Sequence, residues 1–305
     1  MSERIRGCAV GAAVGDALGM PLEFGPRLPA DRLVREMVAG QLPAGTFTDD
    51  TEMALALADS LLACGELDPG DLAGRFASWL EAGPDDVGNH TRAVLSSFAA
   101  GVDWEKAVDM VQRRHPDSAG NGSVMRCWPV AVARWDDLEG LLADSRLQSR
   151  VTHPHAECVA ACAYVNALLY HLFRGLEPAE AARRAMRDAP LPAALRTVVE
   201  TAPDRGREEL GNSGWVRHTL ESALWGLLTT DSFEEAAVQV VNLGNDADTA
   251  GAVAGALAGA AYGLSAIPRS WTEAVQGEWP LRSGTRWRLA ELVDAADRLA
   301  ACCTR

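Results

Sequence analysis

The chain has 305 residues, a formal charge of −14 and a pI near 4.9. A duplex binder needs a basic patch to release counterions, and none stands out, so no stable nucleic-acid binding is expected; an anionic membrane surface is disfavoured on the same ground. Ala is about one residue in six, Lys106 is the single lysine, and Val-Ile-Thr alternation is scarce, which together point to one compact all-α domain over residues 1–305.

In chain order, helical patterns cover residues 5–18, 51–64, 72–82, 91–100, 104–114, 124–134, 154–173, 178–188, 193–201, 216–228, 233–241, 250–264 and 287–302. Gly65, Gly83 and Gly101 stop three of them. Asp71 is placed to cap the third, Asp231 or Ser232 to cap the eleventh, and Pro154 suits a first turn. Residues 21–45 are rich in Pro and Gly and read as loop, as do 120–122. No strand pairing is convincing, and 239–243 reads as the end of a helix.

Residues 249–268 carry no charge but are mostly Ala and Gly, so a buried helix is expected there rather than a membrane span. Residues 7–15 are too rich in Gly, and too soon ended by Asp16, for a signal peptide. The cysteines are Cys8, Cys64, Cys127, Cys158, Cys162, Cys302 and Cys303, an odd count without a C-x-x-C pair. They read as reduced thiols of a cytoplasmic chain, and a monomer is the default expectation.

The glycines are ordered. Gly7, Gly11, Gly15 and Gly19 recur every four residues, as do Gly251, Gly255, Gly259 and Gly263. That spacing draws a narrow ridge along one helix face. A helix-interior Gly costs about 1 kcal/mol relative to Ala, so repeating it makes sense where another helix packs on bare backbone. The first ridge abuts Asp16 and Glu23; the second abuts Asp246 and Asp248.

Five constellations could carry chemistry. Phe47-Thr48-Asp49-Asp50-Thr51-Glu52 opens a helix, where acidic residues also favour the helix dipole. Gly244-Asn245-Asp246-Ala247-Asp248-Thr249 opens the uncharged helix, and one cap does not need two carboxylates. Burying them without a partner costs several kcal/mol each, roughly, so a cation is implied. Oxygen-rich Asp-Asp and Asp-x-Asp sets beside Thr suit hard divalent ions, and no Cys/His set has zinc spacing. Glu23, between Pro21 and Phe24, could have a raised pKa and act as acid or base. Gly120-Asn121-Gly122-Ser123 could offer backbone N–H groups to a phosphate. Thr152-His153-Pro154-His155 reads as a polar helix start, with zinc as the weaker alternative.

GDALGMPLEF, FTDDTEMALAL, GNGSVMRCWPVA, THPHAECVAAC and NLGNDADTAGAVAGALAGAAYGL, in this order, resemble the ADP-ribosylglycohydrolase family. The likeness runs from Gly7 to about Pro268. It implies an all-α fold with two Mg²⁺ (or Mn²⁺) at the base of a cleft, and hydrolysis of the bond from ribose C1″ of ADP-ribose to an acceptor. The acceptor would be an ADP-ribosylated protein side chain such as arginine, or a small ADP-ribosyl conjugate. Carried over by residue, the metal ligands are Thr48, Asp49, Asp50, Asp246, Asp248 and Thr249, with Asp248 bridging. Glu23, Asp49 and Asp248 are the catalytic candidates. Asn121, Gly122, Ser123, Met125 and His153 are the substrate-binding candidates. Asn245 stands where many members have Gly, which questions the local backbone shape.

Two rivals remain at this stage. One is an inert, crystallin-like or ADP-ribose-binding scaffold of the same fold, against which the full ligand set argues. The other is a Mg²⁺-dependent all-α enzyme of the terpene synthase type. It is weakened because no Glu follows Asp246-Ala247-Asp248-Thr249 at the needed spacing.

Overall fold

The computed structural model describes residues 1–302 of the chain, so Cys303 lies outside the described residues. Fifteen α-helices dominate them: α1 (Ser2–Gly19), α2 (Asp49–Cys64), α3 (Pro69–Ala82), α4 (Asn89–Ala99), α5 (Trp104–Arg114), α6 (Trp128–Ala133), α7 (Leu138–Arg150), α8 (Ala156–Phe173), α9 (Pro178–Asp188), α10 (Ala193–Thr201), α11 (Val216–Thr229), α12 (Phe233–Val241), α13 (Ala247–Tyr262), α14 (Arg269–Ala274) and α15 (Leu289–Cys302). The all-α expectation holds, and one large hydrophobic core runs through the bundle. A two-residue antiparallel pair, β1 (Gly277–Glu278) with β2 (Arg286–Trp287), is the one sheet among the described residues.

The glycine ridges meet each other. α1 and α13 run antiparallel, with Gly7 against Gly259, Gly11 against Gly255 and Gly15 against Gly251. A Cβ on Gly15 would stand 1.9 Å from the Gly251 carbonyl oxygen, and one on Gly11 2.3 Å from that of Gly255. The backbones therefore touch, and only Gly permits it. Nearly every residue of both helices is buried, which explains their lack of an amphipathic stripe. Because the helices are antiparallel, the C-terminal end of α1 lies beside the N-terminal end of α13. Both acidic clusters thus fall at one end of the pair.

Asp16 then fixes α2. Its buried carboxylate accepts hydrogen bonds from the Thr48 and Thr51 backbone N–H groups and from both Thr hydroxyls, at 2.6–3.1 Å. It does what an N-cap side chain does, but from another helix; Thr48 itself makes no side-chain cap bond.

Several boundaries differ from the sequence reading. Asp68, not Asp71, caps α3, since its side chain accepts from the Asp71 N–H; Asp71 turns instead to Ser60 and Arg75. α7 is absent from the sequence reading, although Asp137 caps it and Leu138, Leu141, Leu142 and Leu147 give it an apolar face. The apolar run 124–134 yields only α6, and Pro154 falls outside α8, whose N-cap is His155. Trp287 belongs to β2 rather than to the last helix. By length and composition α8 could cross a membrane, but 83% of it is buried inside the fold, as a core helix is.

The ridge contact predicts opposite outcomes for two Gly→Ala changes. Gly15→Ala should destabilise by roughly 1–3 kcal/mol or more, because backbone cannot yield to the new methyl. Gly74→Ala, in the interior of α3 with nothing near its added Cβ, should stabilise by about 0.5–1 kcal/mol. Urea unfolding of the two variants measures both, and a Gly15→Ala chain as stable as the parent would refute the packing argument.

Candidate active site

Two helix N-termini face each other across the end of the ridge pair. Asp49 and Asp50 occupy the first turn of α2, Asp248 the first turn of α13, and all three are buried. One carboxylate oxygen from each lies within 4.8 Å of the others. Asp50 Oδ1 is buried without a hydrogen-bond partner, while the Thr249 hydroxyl reaches Asp50 Oδ2 at 3.4 Å. Three converging carboxylates with an orphaned buried oxygen fit a hard divalent cation. Burial drives Asp50 and Asp248 well above the usual carboxylate range; repulsion from Asp248 adds to it at Asp50, and repulsion from Asp246 and Glu23 at Asp248. Burial likewise raises Asp49, with Asp86 adding to it.

The remaining predicted ligands stand around this triad. Asp246 is the N-cap residue of α13, and its Oδ2 accepts from Asn121 Nδ2 at 2.7 Å. Thr48 gives its hydroxyl proton to Asp16 at 2.8 Å, which leaves the oxygen lone pairs available. Asn245 has φ 57°, so it adopts the left-handed conformation that a Gly would take, and Asn is among the residues that tolerate it. The backbone shape questioned by that substitution is retained.

Two cavities open on the triad. One, of about 510 Å³, is lined by Asn121, Gly122, Met125, His153, Asp246 and Asp248 among others. The other, of about 410 Å³, is lined by Gln41, Phe47, Glu52, Asp85, Glu278 and Arg286 among others. Glu23, Asp49 and Asp86 line both. Glu23 is half-buried, and desolvation pushes its carboxyl up to about 8, with Asp86, Asp246 and Asp16 adding repulsion. Glu52 is raised to about 7 by burial, although the Trp79 indole N–H donates to it at 2.7 Å.

Ser123 departs from its expected place. Its side chain is fully buried and bonded to Ser149 and Cys162, under the loop rather than facing the cleft. His155 also turns away, accepting from the Glu157 N–H at the start of α8, so it makes no metal pair with His153.

The family model for ADP-ribosylglycohydrolase matches residues 1–304. The chain belongs to the ADP-ribosylglycohydrolase family. It is an enzyme that hydrolyses the glycosidic bond of ADP-ribose, which excludes the terpene synthase reading. It is 37% identical over 285 residues to the ADP-ribosylarginine hydrolase Tri1 of Pseudomonas putida (strain GB-1), covering 90% of this chain and 74% of that protein. It is 36% identical over 278 residues to the ADP-ribosyl-[dinitrogen reductase] glycohydrolase of Rhodospirillum rubrum, covering 88% and 89%. A solved structure described as an ADP-ribosylglycohydrolase-related protein complex aligns with a TM-score of 0.82 and 37% identity, covering 99% of both chains.

Within this glycohydrolase site, sequence reading missed Asp86, His90 and the capping role of Asp16. Asp86 follows Gly83-Pro84, which reads only as a helix stop. His90 stacks on His153 with ring centroids 4.7 Å apart, a pairing 63 residues distant in sequence that no local signal marks.

The raised carboxyls set a pH dependence. Each keeps its proton to higher pH in the folded chain than near pH 4, where an unfolded carboxyl loses it. Between those values the folded state binds more protons, so stability falls as pH rises from about 5 to about 8. A divalent cation replaces the lost protons. Mn²⁺ or Mg²⁺ should therefore raise Tm more at about pH 8 than at about pH 5. An equal increment at both would count against a carboxylate cation site.

Proposed function

We propose that this glycohydrolase uses two Mg²⁺, with Mn²⁺ able to substitute, to release ADP-ribose from arginine side chains of modified proteins. The observation that carries this reading is the pair of cavities joined at Glu23, Asp49 and Asp86. ADP-ribose takes the larger one, contacting Asn121, Gly122, Met125 and His153. The acceptor takes the smaller, whose wall sets Glu52, Asp85, Asp86 and Glu278 against Arg282 and Arg286 and, with the carboxylates in excess, favours a cationic guanidinium group over a neutral hydroxyl. Gln41, Leu42 and Pro43 on the same wall support the loop 21–45 as a border of the leaving group. The names of the Pseudomonas and Rhodospirillum relatives support a protein acceptor as well.

Thr48, Asp49, Asp50, Asp246, Asp248 and Thr249 would hold the ions, which would orient the ribose hydroxyls and a water, while the surrounding carboxylates offset the oxocarbenium charge that develops at C1″. Asp49 and Asp248 orient the attacking water from beside C1″. Glu23 holds a proton near neutral pH and gives it to the departing acceptor nitrogen as the C1″–N bond breaks. The proton lost by the adding water returns to Glu23. The six cysteines among the described residues are all free, which supports a reduced, cytoplasmic setting, and the reading takes the protein as a monomer.

The test is release of free ADP-ribose from defined ADP-ribosyl-arginine and ADP-ribosyl-serine conjugates, with and without chelator. The arginine conjugate should turn over at least about tenfold faster. Asp248→Ala should lose cation binding and roughly 10²–10⁴-fold in kcat. Normal turnover by that variant would sink the assignment, and preference for serine would sink the acceptor.

A further inference from the structure

Arg126 is a fully buried cation without a carboxylate partner among the described residues. Its guanidinium lies 4.4 Å from the centre of the Phe76 ring. One Nη donates to the Gly122 carbonyl at 2.7 Å, in the loop that lines the larger cavity. The other donates to Thr152 Oγ1 at 2.7 Å. A charge buried this way is costly unless its donors are used, and here they tie two segments of the cleft wall together.

Thr152 Oγ1 also lies 2.8 Å from His153 Nδ1. The Arg126 donation makes that oxygen an acceptor, so its own proton must go elsewhere. Thr152 is fully buried, and among the described residues the acceptor it meets is His153 Nδ1. If Nδ1 carried the ring proton instead, the buried hydroxyl hydrogen would have no partner and its desolvation would go uncompensated. The ring proton therefore sits on Nε2. Burial holds the imidazole neutral, since it lowers its pKa well below the usual value. His90, with Nε2 2.9 Å from the Thr152 carbonyl, stacks against the ring and fixes its plane.

The Nε2 edge faces the loop glycines. A Cβ on Gly122 would come within 3.1 Å of His153 Nε2, and one on Gly120 within 3.5 Å. Bare backbone at both positions leaves that edge open to the cavity His153 lines.

We propose that Arg126 and Thr152 are positioning residues which, through a guanidinium–hydroxyl–imidazole relay, fix His153 as a neutral Nε2–H donor toward an oxygen of the bound ADP-ribose. The inference rests on the proposed ADP-ribose cleft for its ligand half alone. It gives the Arg of the Gly-Asn-Gly-Ser-Val-Met-Arg run a task that loop geometry does not reveal. It also removes His153 from metal binding through Nε2.

Nitrogen-15 NMR of the histidine side chains reads the relay directly. The chain has six His, and His153→Gln identifies the resonance of interest. The wild-type protein without ligand should show His153 as the Nε2–H tautomer. Thr152→Val should move the His153 Nδ1 resonance to that of a nitrogen without a hydrogen bond and weaken ADP-ribose binding about threefold to tenfold by calorimetry, with Mn²⁺ affinity unchanged. Thr152→Ser should restore both. An Nδ1–H tautomer in the wild type, or Thr152→Val with unaltered Nδ1 resonance and affinity, would overturn the relay. Wild-type protein that shows the Nε2–H tautomer yet does not bind ADP-ribose would support the relay and overturn the ligand half together with the cleft reading.

Discussion

The backbone contact between α1 and α13 is the constraint on which the site depends. Gly7, Gly11 and Gly15 of one helix meet Gly259, Gly255 and Gly251 of the other so closely that a methyl group has no room. A contact made by side chains could slide by a rotamer. One made by backbone carbonyls against Cα hydrogens has a single register. That register sets Gly19 against Ala247, and hence Asp16 and Glu23 beside Asp246 and Asp248. Asp16 then takes the start of α2 as its hydrogen-bond partner. Three carboxylate-bearing segments, far apart in sequence, are placed by one line of glycines and one buried Asp.

The same placement creates an electrostatic debt. Burial of Asp49, Asp50 and Asp248 within reach of one another favours their neutral forms, because desolvation and mutual repulsion act in one direction. Both helix N-termini offset part of that cost with their dipoles. Asp16 shows the contrast: it is as deeply buried, yet four donors hold it down to about 6. The triad has fewer donors: the Thr249 N–H reaches Asp248 Oδ1 at 2.8 Å and its hydroxyl reaches Asp50 Oδ2 at 3.4 Å, while Asp50 Oδ1 has none. A polar group kept unsatisfied inside a fold is a cost that a bound cation would repay. Part of the −14 charge thus belongs to the site and not to solubility.

The fold class and most helices were legible because the chain uses its punctuation conventionally: helices such as α5, α9, α10 and α12 begin and end where Gly, Pro, Ser and Asp signals put them. The two acidic motifs were legible as pairs of carboxylates in excess of what a cap requires. What sequence could not show was orientation. Ser123 sits in the right loop but points into the core, and nothing local distinguishes it from Asn121 two residues earlier. Asp86 enters the cleft from the α3–α4 connection, whose own pattern states only that a helix stops, and His90 from the first turn of α4. Arg126 lies inside the apolar stretch 124–134 with no local sign of its surroundings, and it is wholly buried because the Gly122 carbonyl, Gln148 and Thr152 replace water around it.

The loop that carries Glu23 is held by a different device. The Phe24 N–H donates to the Asn245 carbonyl at 2.6 Å, and the Asn245 N–H donates to the Gly25 carbonyl at 2.8 Å. Both Phe24 and Asn245 have positive φ, 58° and 57°, and for Phe that conformation is strained. Phe24 is also 72% exposed at the rim of the larger cavity, so burial does not compensate the strain. The reciprocal pair of hydrogen bonds does. It clasps the Glu23 loop to the entry of α13 at Asn245, three residues before Asp248. Glu23, Asp246 and Asp248 are therefore positioned by one short piece of backbone, which holds the Glu23 carboxyl at the junction of both cavities.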